Sequence, residues 1–117
     1  MPALETAKTI IRLAQEKKGK QIVLMDISKL SSFADYFVII SGDSTIQIKA
    51  IADHIIDELH IQDIFARNKE GMDNANWVLL DYIDVVVHIF NNETREFYGL
   101  ERLWADAGIE FISEETE

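Results

Sequence analysis

No cysteine occurs among the 117 residues, which excludes a disulfide framework, a thiolate metal site and a cysteine nucleophile. That absence agrees with a reducing, cytoplasmic setting. Basic residues are scarce: eleven Lys and Arg stand against twenty-one Asp and Glu, a formal net charge of -10. Such a field repels phosphate backbones and anionic lipid surfaces, so direct nucleic-acid binding starts at a disadvantage. A basic protein partner starts with an advantage, because opposite potentials speed encounter. Long apolar runs are missing as well. The longest, such as Tyr36 to Ile40, are strand-sized and far short of the ~20 residues needed to cross a bilayer. The start Met1-Pro2-Ala3-Leu4-Glu5 lacks the basic segment of a signal peptide. No repeat, linker or low-complexity segment is visible.

What remains is enough for one continuous core, since 48% of the residues are hydrophobic. We expect a single domain over residues 1–109 and an acidic tail over 110–117, with Glu110, Glu114, Glu115 and Glu117. Leu4, Ala7, Ile10, Ile11 and Ala14 recur at helical spacing. Lys17 and Lys18 follow at the negative end of the helix dipole, and Gly19 suits a left-handed cap. Gln21 to Met25 reads as a buried strand and Phe33 to Ile40 as a second. Ile48, Ile51, Ala52, Ile55, Ile56 and Leu59 then predict a helix over 45–59, capped by Asp43 or Ser44. A short edge strand is expected near Phe65. Trp77–Tyr82 and Asp84–Phe90 predict a hairpin. Phe97, Leu100, Leu103, Trp104 and Ala107 again fall at helical spacing, with Asn91 or Asn92 as cap and Gly99 placed to break the helix. The order α-β-β-α-β-β-β-α implies an α/β (α+β) fold, a mixed sheet with helices packed on it.

Several chemistries can be tested against these residues. Ser41-Gly42-Asp43-Ser44 lies between a strand and a helix, where a phosphate could meet helix amides. That placement resembles nucleotidyltransferase folds, whose metal ions need two close carboxylates. Asp81 and Asp84 flank the hairpin turn and do not alternate on one strand face, so a capped helix is the better reading. Of the three histidines, His54, His60 and His88, His54 and Glu58 are four apart and could touch one metal, but no third ligand accompanies them. His88 lies on a strand and reads as a hydrogen-bonded structural histidine. Lys17-Lys18-Gly19-Lys20 is the one basic cluster and has no aromatic residue beside it. No catalytic, metal-binding or cofactor-binding residue is assigned.

The hairpin is the least ordinary segment. Trp77, Leu79 and Asp81 point to one face of their strand, and Val78, Leu80 and Tyr82 to the other. A tryptophan beside leucine, tyrosine and carboxylates has the composition of an interface with an apolar centre and a charged rim. Pattern alone leaves open whether Trp77 fills the core or faces a partner.

Ala34-Asp35-Tyr36-Phe37-Val38-Ile39-Ile40-Ser41-Gly42-Asp43-Ser44, followed by Gln47 and Ala50-Ile51-Ala52-Asp53, resembles the ribosomal silencing factor family, RsfS, also called the Iojap family. So do Glu70-Gly71, Trp77-Val78-Leu79-Leu80-Asp81-Tyr82 and Asp84-Val85-Val86-Val87-His88-Ile89-Phe90. Arg95-Glu96-Phe97-Tyr98-Gly99-Leu100-Glu101-Arg102-Leu103-Trp104 resembles the family's closing helix. The resemblance runs in order over residues 4–107. One position departs from it: the family usually has glycine where Ile83 stands. A β-branched residue resists positive φ, so the turn either keeps negative φ at position 83 or is strained.

The resemblance implies a nucleotidyltransferase-like fold without the catalytic apparatus, hence no enzyme. It implies a protein, commonly a homodimer when free, that binds the large ribosomal subunit through that subunit's protein fourteen. Occupying that surface blocks joining of the small subunit and lowers translation when nutrients are scarce. Relatives in organelles act in large-subunit assembly, which is the alternative role. On this reading Trp77, Leu79 and Tyr82 make apolar contact, while Glu70, Asp81 and Asp84 face basic groups. His88, Tyr98 and Trp104 either join them or support the hairpin.

Overall fold

The computed structural model describes residues 2–103 and 107–112. Helix α1 (Ala3–Glu16) leads into β1 (Lys20–Asp26) and β2 (Tyr36–Ser41). Helix α2 (Thr45–Ile61) follows, then β3 (Asn68–Glu70), β4 (Trp77–Asp81) and β5 (Val85–Phe90). Two short helices, α3 (Asn92–Tyr98) and α4 (Leu100–Leu103), precede β6 (Gly108–Phe111). The strands form one sheet in the order β3-β4-β5-β2-β1-β6. β2 and β5 run parallel, and the other neighbours are antiparallel. The expected mixed sheet with helices packed on it is therefore the architecture. No helix among the described residues is long and apolar enough to cross a membrane.

The period-two alternation of the strands sorts their residues onto two unlike faces. Ile22, Leu24, Val38, Ile40, Val78, Leu80, Val85, Val87 and Ile89 pack under α1 and α2, against Ile10, Ile48, Ile51 and Ile55. Val23, Met25, Phe37, Ile39, Val86 and Phe90 face the other way and gather Leu100, with Trp77 and Leu79 at the margin. Central strands buried on both sides need apolar residues at nearly every position, which is why β2 and β5 read as continuous hydrophobic runs.

Local chemistry sets the helix ends. Ser44 caps α2 by accepting the Gln47 amide at 3.1 Å. Gln47 in turn accepts the Asp43 N–H at 2.6 Å and donates to the carbonyl of Lys18 at 2.9 Å. The Ser41–Ser44 turn is thus a capped helix start that also ties down the end of α1. Asn91 caps α3 through the Thr94 amide at 2.8 Å, and left-handed Gly99 separates α3 from α4.

Four expectations need correction. The left-handed residue after α1 is Lys18 (φ 63°), not Gly19. A Cβ on Gly19 would stand 2.9 Å from the Ile40 side chain, so glycine is there for close packing. The second strand starts at Tyr36, leaving Phe33 exposed. The edge strand lies at Asn68–Glu70 rather than at Phe65, because β4 offers its free edge there. Residues 108–111 form β6 on the outer edge of β1, so Glu110 and Phe111 belong to the sheet and not to a tail. Glu114, Glu115 and Glu117 lie outside the described residues.

Ile83 carries the hairpin turn at φ 73° and is 52% exposed. The Asp84 N–H donates to the Tyr82 carbonyl at 2.9 Å across it, the pattern of the rare, strained γ-turn with positive φ. Left-handed backbone costs an ordinary residue ~1–2 kcal/mol, against ~0.5–1 kcal/mol of chain entropy that glycine adds to the unfolded state. Ile83→Gly is therefore expected to raise stability by roughly 0.5–1 kcal/mol. Urea unfolding checks this, and a lowered midpoint would mean that Ile83 packs more than it strains.

Candidate functional site

Pairing register decides which residues meet on the sheet face away from α1 and α2. Leu79 stands opposite Glu70 on β3 and opposite His88 on β5, while Trp77 stands opposite Phe90. Directly opposed residues share a face, so Glu70, Trp77, Leu79 and His88 lie on one surface. Trp77 and Leu79 are half-buried and Glu70 is exposed.

Helix α3 supplies the rest. The Tyr98 ring centres 4.5 Å from that of Trp77, and Phe97 packs edge-on against Tyr98 at 5.0 Å. Tyr98 is 47% and Phe97 78% exposed, so an aromatic patch reaches solvent although its base is core. Beneath it the indole touches Phe90 and His88, at 5.6 and 5.8 Å between ring centres. Gly71 shapes the neighbouring loop. At φ 80° it passes so close to the Trp77 carbonyl that a Cβ would collide with it.

Two buried polar groups hold this arrangement. His88 is 4% exposed, and its Nδ1 accepts the Trp77 indole N–H at 3.1 Å. Arg95 of α3 is also buried. It donates to the Gln21 carbonyl at 2.6 Å, to Ser41 Oγ at 2.7 Å and to Glu101 at 3.0 Å. Those bonds fasten α3, and with it Tyr98, to β1 and β2. Arg95 is the residue that sequence reading quoted without giving it a role. No sequence signal marks it, because it precedes the Phe97–Ala107 stripe among Glu93, Glu96 and Glu101 and reads as a surface charge.

The other expected contact residues are placed as follows. Asp81 is on the same strand face but turned to internal partners: Arg67 Nη2 at 2.7 Å and the Ile83 N–H at 2.8 Å. Tyr82 turns to the helix-covered face, where burial pushes its hydroxyl pKa up to about 12. Asp84 is exposed at the hairpin tip, at the far end of β4 from Trp77, roughly 17 Å of strand away. Trp104 lies outside the described residues. Trp77, Leu79, Glu70 and Tyr98 are thus brought together, while Tyr82 and Asp84 are not. His54 Nε2 meets Glu16 of α1 at 2.8 Å, a tie between helices, and that bond holds the Glu16 carboxyl below its usual range.

The whole chain, residues 1–117, matches the family model described as ribosomal silencing factor during starvation. This chain belongs to the RsfS family. It is 41% identical over 104 residues to the ribosomal silencing factor RsfS of Bacillus subtilis, covering 86% of this chain and 88% of that one. A crystal structure of a Chromobacterium violaceum protein superposes with a TM-score of 0.88 at 32% identity, covering 99% of this chain and 98% of that one. A mouse relative, named mitochondrial assembly of ribosomal large subunit protein 1, is 30% identical over 99 residues, covering 81% of this chain and 43% of the mouse protein. An RsfS chain is a regulatory protein of the ribosome.

Burial holds the His88 pKa down to about 4, against 6.5 for a free imidazole. The unfolded chain takes up that proton below pH 6.5 and the folded chain only near pH 4. Stability from the neutral ring is therefore fully present above pH 6.5 and lost as pH falls from 6.5 to 4. The slope is at most ~1.4 kcal/mol per pH unit, roughly 3 kcal/mol in all. His88→Leu should lose this component of the acid slope. Urea unfolding across that range checks it, and identical slopes in the two proteins would refute it.

Proposed function

We propose that this RsfS chain binds the large ribosomal subunit through that subunit's protein fourteen and sterically prevents the small subunit from joining. The observation that carries the proposal is the half-exposed patch of Trp77, Leu79 and Tyr98, with Phe97 beside it and Glu70 on its rim. An aromatic centre edged by charge suits a protein–protein contact. A net charge of -10 suits a basic ribosomal protein better than bare ribosomal RNA. No bond is made or broken. The bound domain occupies space the small subunit needs, and its negative field adds repulsion toward RNA within ~8 Å at physiological salt. The free protein on this proposal is a cytoplasmic homodimer that acts when nutrients are limiting.

Calorimetric titration with purified protein fourteen tests the contact. Binding that weakens with salt and is lost in Trp77→Ala supports it, and no binding at low salt contradicts it. The name of the mouse relative favours a second reading, a large-subunit assembly factor using the same contact. Ribosome profiles of a deletion strain separate the two. Immature large subunits in growing cells mark the assembly role, whereas an excess of joined ribosomes only in starvation marks silencing.

A further inference from the structure

Strand β5 reads Val85-Val86-Val87-His88-Ile89-Phe90, and all six side chains are buried. One of them is polar. His88 Nδ1 accepts the indole N–H of Trp77 at 3.1 Å. A ring nitrogen that accepts carries no proton, so the neutral imidazole bears its proton on Nε2. Nε2 is buried and has no hydrogen-bond partner among the described residues. An orphaned buried donor is costly to a fold, and an apolar residue at position 88 would remove it. The same change would leave the half-buried Trp77 N–H without its acceptor, so what the histidine gives the fold is the Trp77 bond set against the Nε2 orphan. What the ring does supply, among the described residues, is one side-chain hydrogen bond, to Trp77.

We infer that His88 is a positioning residue: its Nδ1 lone pair locks the Trp77 indole in the orientation that the partner contacts. The inference rests on the ribosome-binding reading above and assigns the device that pre-organises its anchor. The Trp77 ring is half-buried and leans on Phe90 and Tyr98. Tilted apolar contacts with such neighbours leave the ring free to tilt or flip, whereas a directed N–H···N bond selects one orientation. Phe37, edge-on to His88 at 4.7 Å, holds the imidazole from its other side. A ring already fixed in the free protein has less freedom to lose on binding, and that difference appears as affinity.

The test compares three substitutions. His88→Leu fills the volume without an acceptor. His88→Asn places a carbonyl oxygen near the position of Nδ1, and His88→Gln places one near Nε2. Binding is measured with isolated large ribosomal subunits, and the Trp77 indole N–H is followed by hydrogen exchange in NMR, its signal assigned with Trp77→Phe. His88→Leu and His88→Gln are expected to bind about tenfold more weakly and His88→Asn within about threefold of the parent. Indole protection should be kept in His88→Asn and lost in the other two. Should His88→Leu fail to fold, the Asn–Gln contrast carries the test. Equal affinity in all folded variants, or losses that follow thermal stability and not indole protection, would overturn the inference. If the parent itself does not bind large subunits, the functional reading fails, and indole exchange still decides whether His88 holds the ring.

Discussion

Trp77→Ala is expected to weaken binding to the large ribosomal subunit at least ~30-fold, about 2 kcal/mol, while the chain stays folded. The size follows from where the ring sits. Its base rests on Phe90 and His88, its flank on Tyr98, and the remainder is open to a partner. A large, fixed aromatic surface desolvates on contact and has little rotamer freedom left to lose. Truncation also uncovers His88 and Phe90, so some stability is lost as well. The core under α1 and α2 is on the opposite face and is untouched. Co-sedimentation of the folded variant at unchanged affinity would remove Trp77 from the site. Circular dichroism and a cooperative urea transition establish that it is folded.

The largest loss of stability is expected at Arg95. Its guanidinium is buried and bonds the Gln21 carbonyl, Ser41 Oγ and Glu101 at once. Removing one partner of a buried ion pair leaves the other uncompensated, a cost of ~3–5 kcal/mol. The Glu101 side chain is 31% exposed, so water recovers part of the loss. Arg95→Met should therefore cost about 3 kcal/mol. It should also loosen α3 and with it the placement of Tyr98 against Trp77. Adding Glu101→Gln removes the lone carboxylate and should restore part of the stability without restoring the Ser41 and Gln21 contacts. Equilibrium urea unfolding reads both steps, and a loss under about 1 kcal/mol, the scale of an ordinary surface pair, would show that the network is dispensable.

The long periodic elements were legible because burial on one side writes a clear period into them. α2 shows this in Ile48, Ile51, Ile55 and Leu59, and β4 in its alternation of half-buried and buried residues, whereas β5 was legible as a continuous apolar run. What escaped was decided by neighbours in space. Asn68–Glu70 is three exposed polar residues, and only the free edge of β4 makes them a strand. Gly108–Phe111 likewise becomes β6 because β1 offers an unpaired edge. Alternation separated Trp77 and Leu79 from Val78, Leu80 and Tyr82, but could not say which set the helices cover. The packing of α1 and α2 on Val78 and Leu80 answers that, and it moves Tyr82 away from the candidate contact. At Ile83, sequence left two outcomes open, and the turn takes the strained one.

Steric silencing makes one demand that no other reading shares: the bound protein and the small subunit must exclude each other. The direct measurement is co-sedimentation with separated large and small ribosomal subunits, followed by addition of the missing subunit at joining concentrations of magnesium. The account predicts that the protein travels with the large subunit alone, that joined ribosomes fail to form in proportion to occupancy, and that Trp77→Ala relieves the block. Joined ribosomes that form normally and carry the protein with them would contradict it.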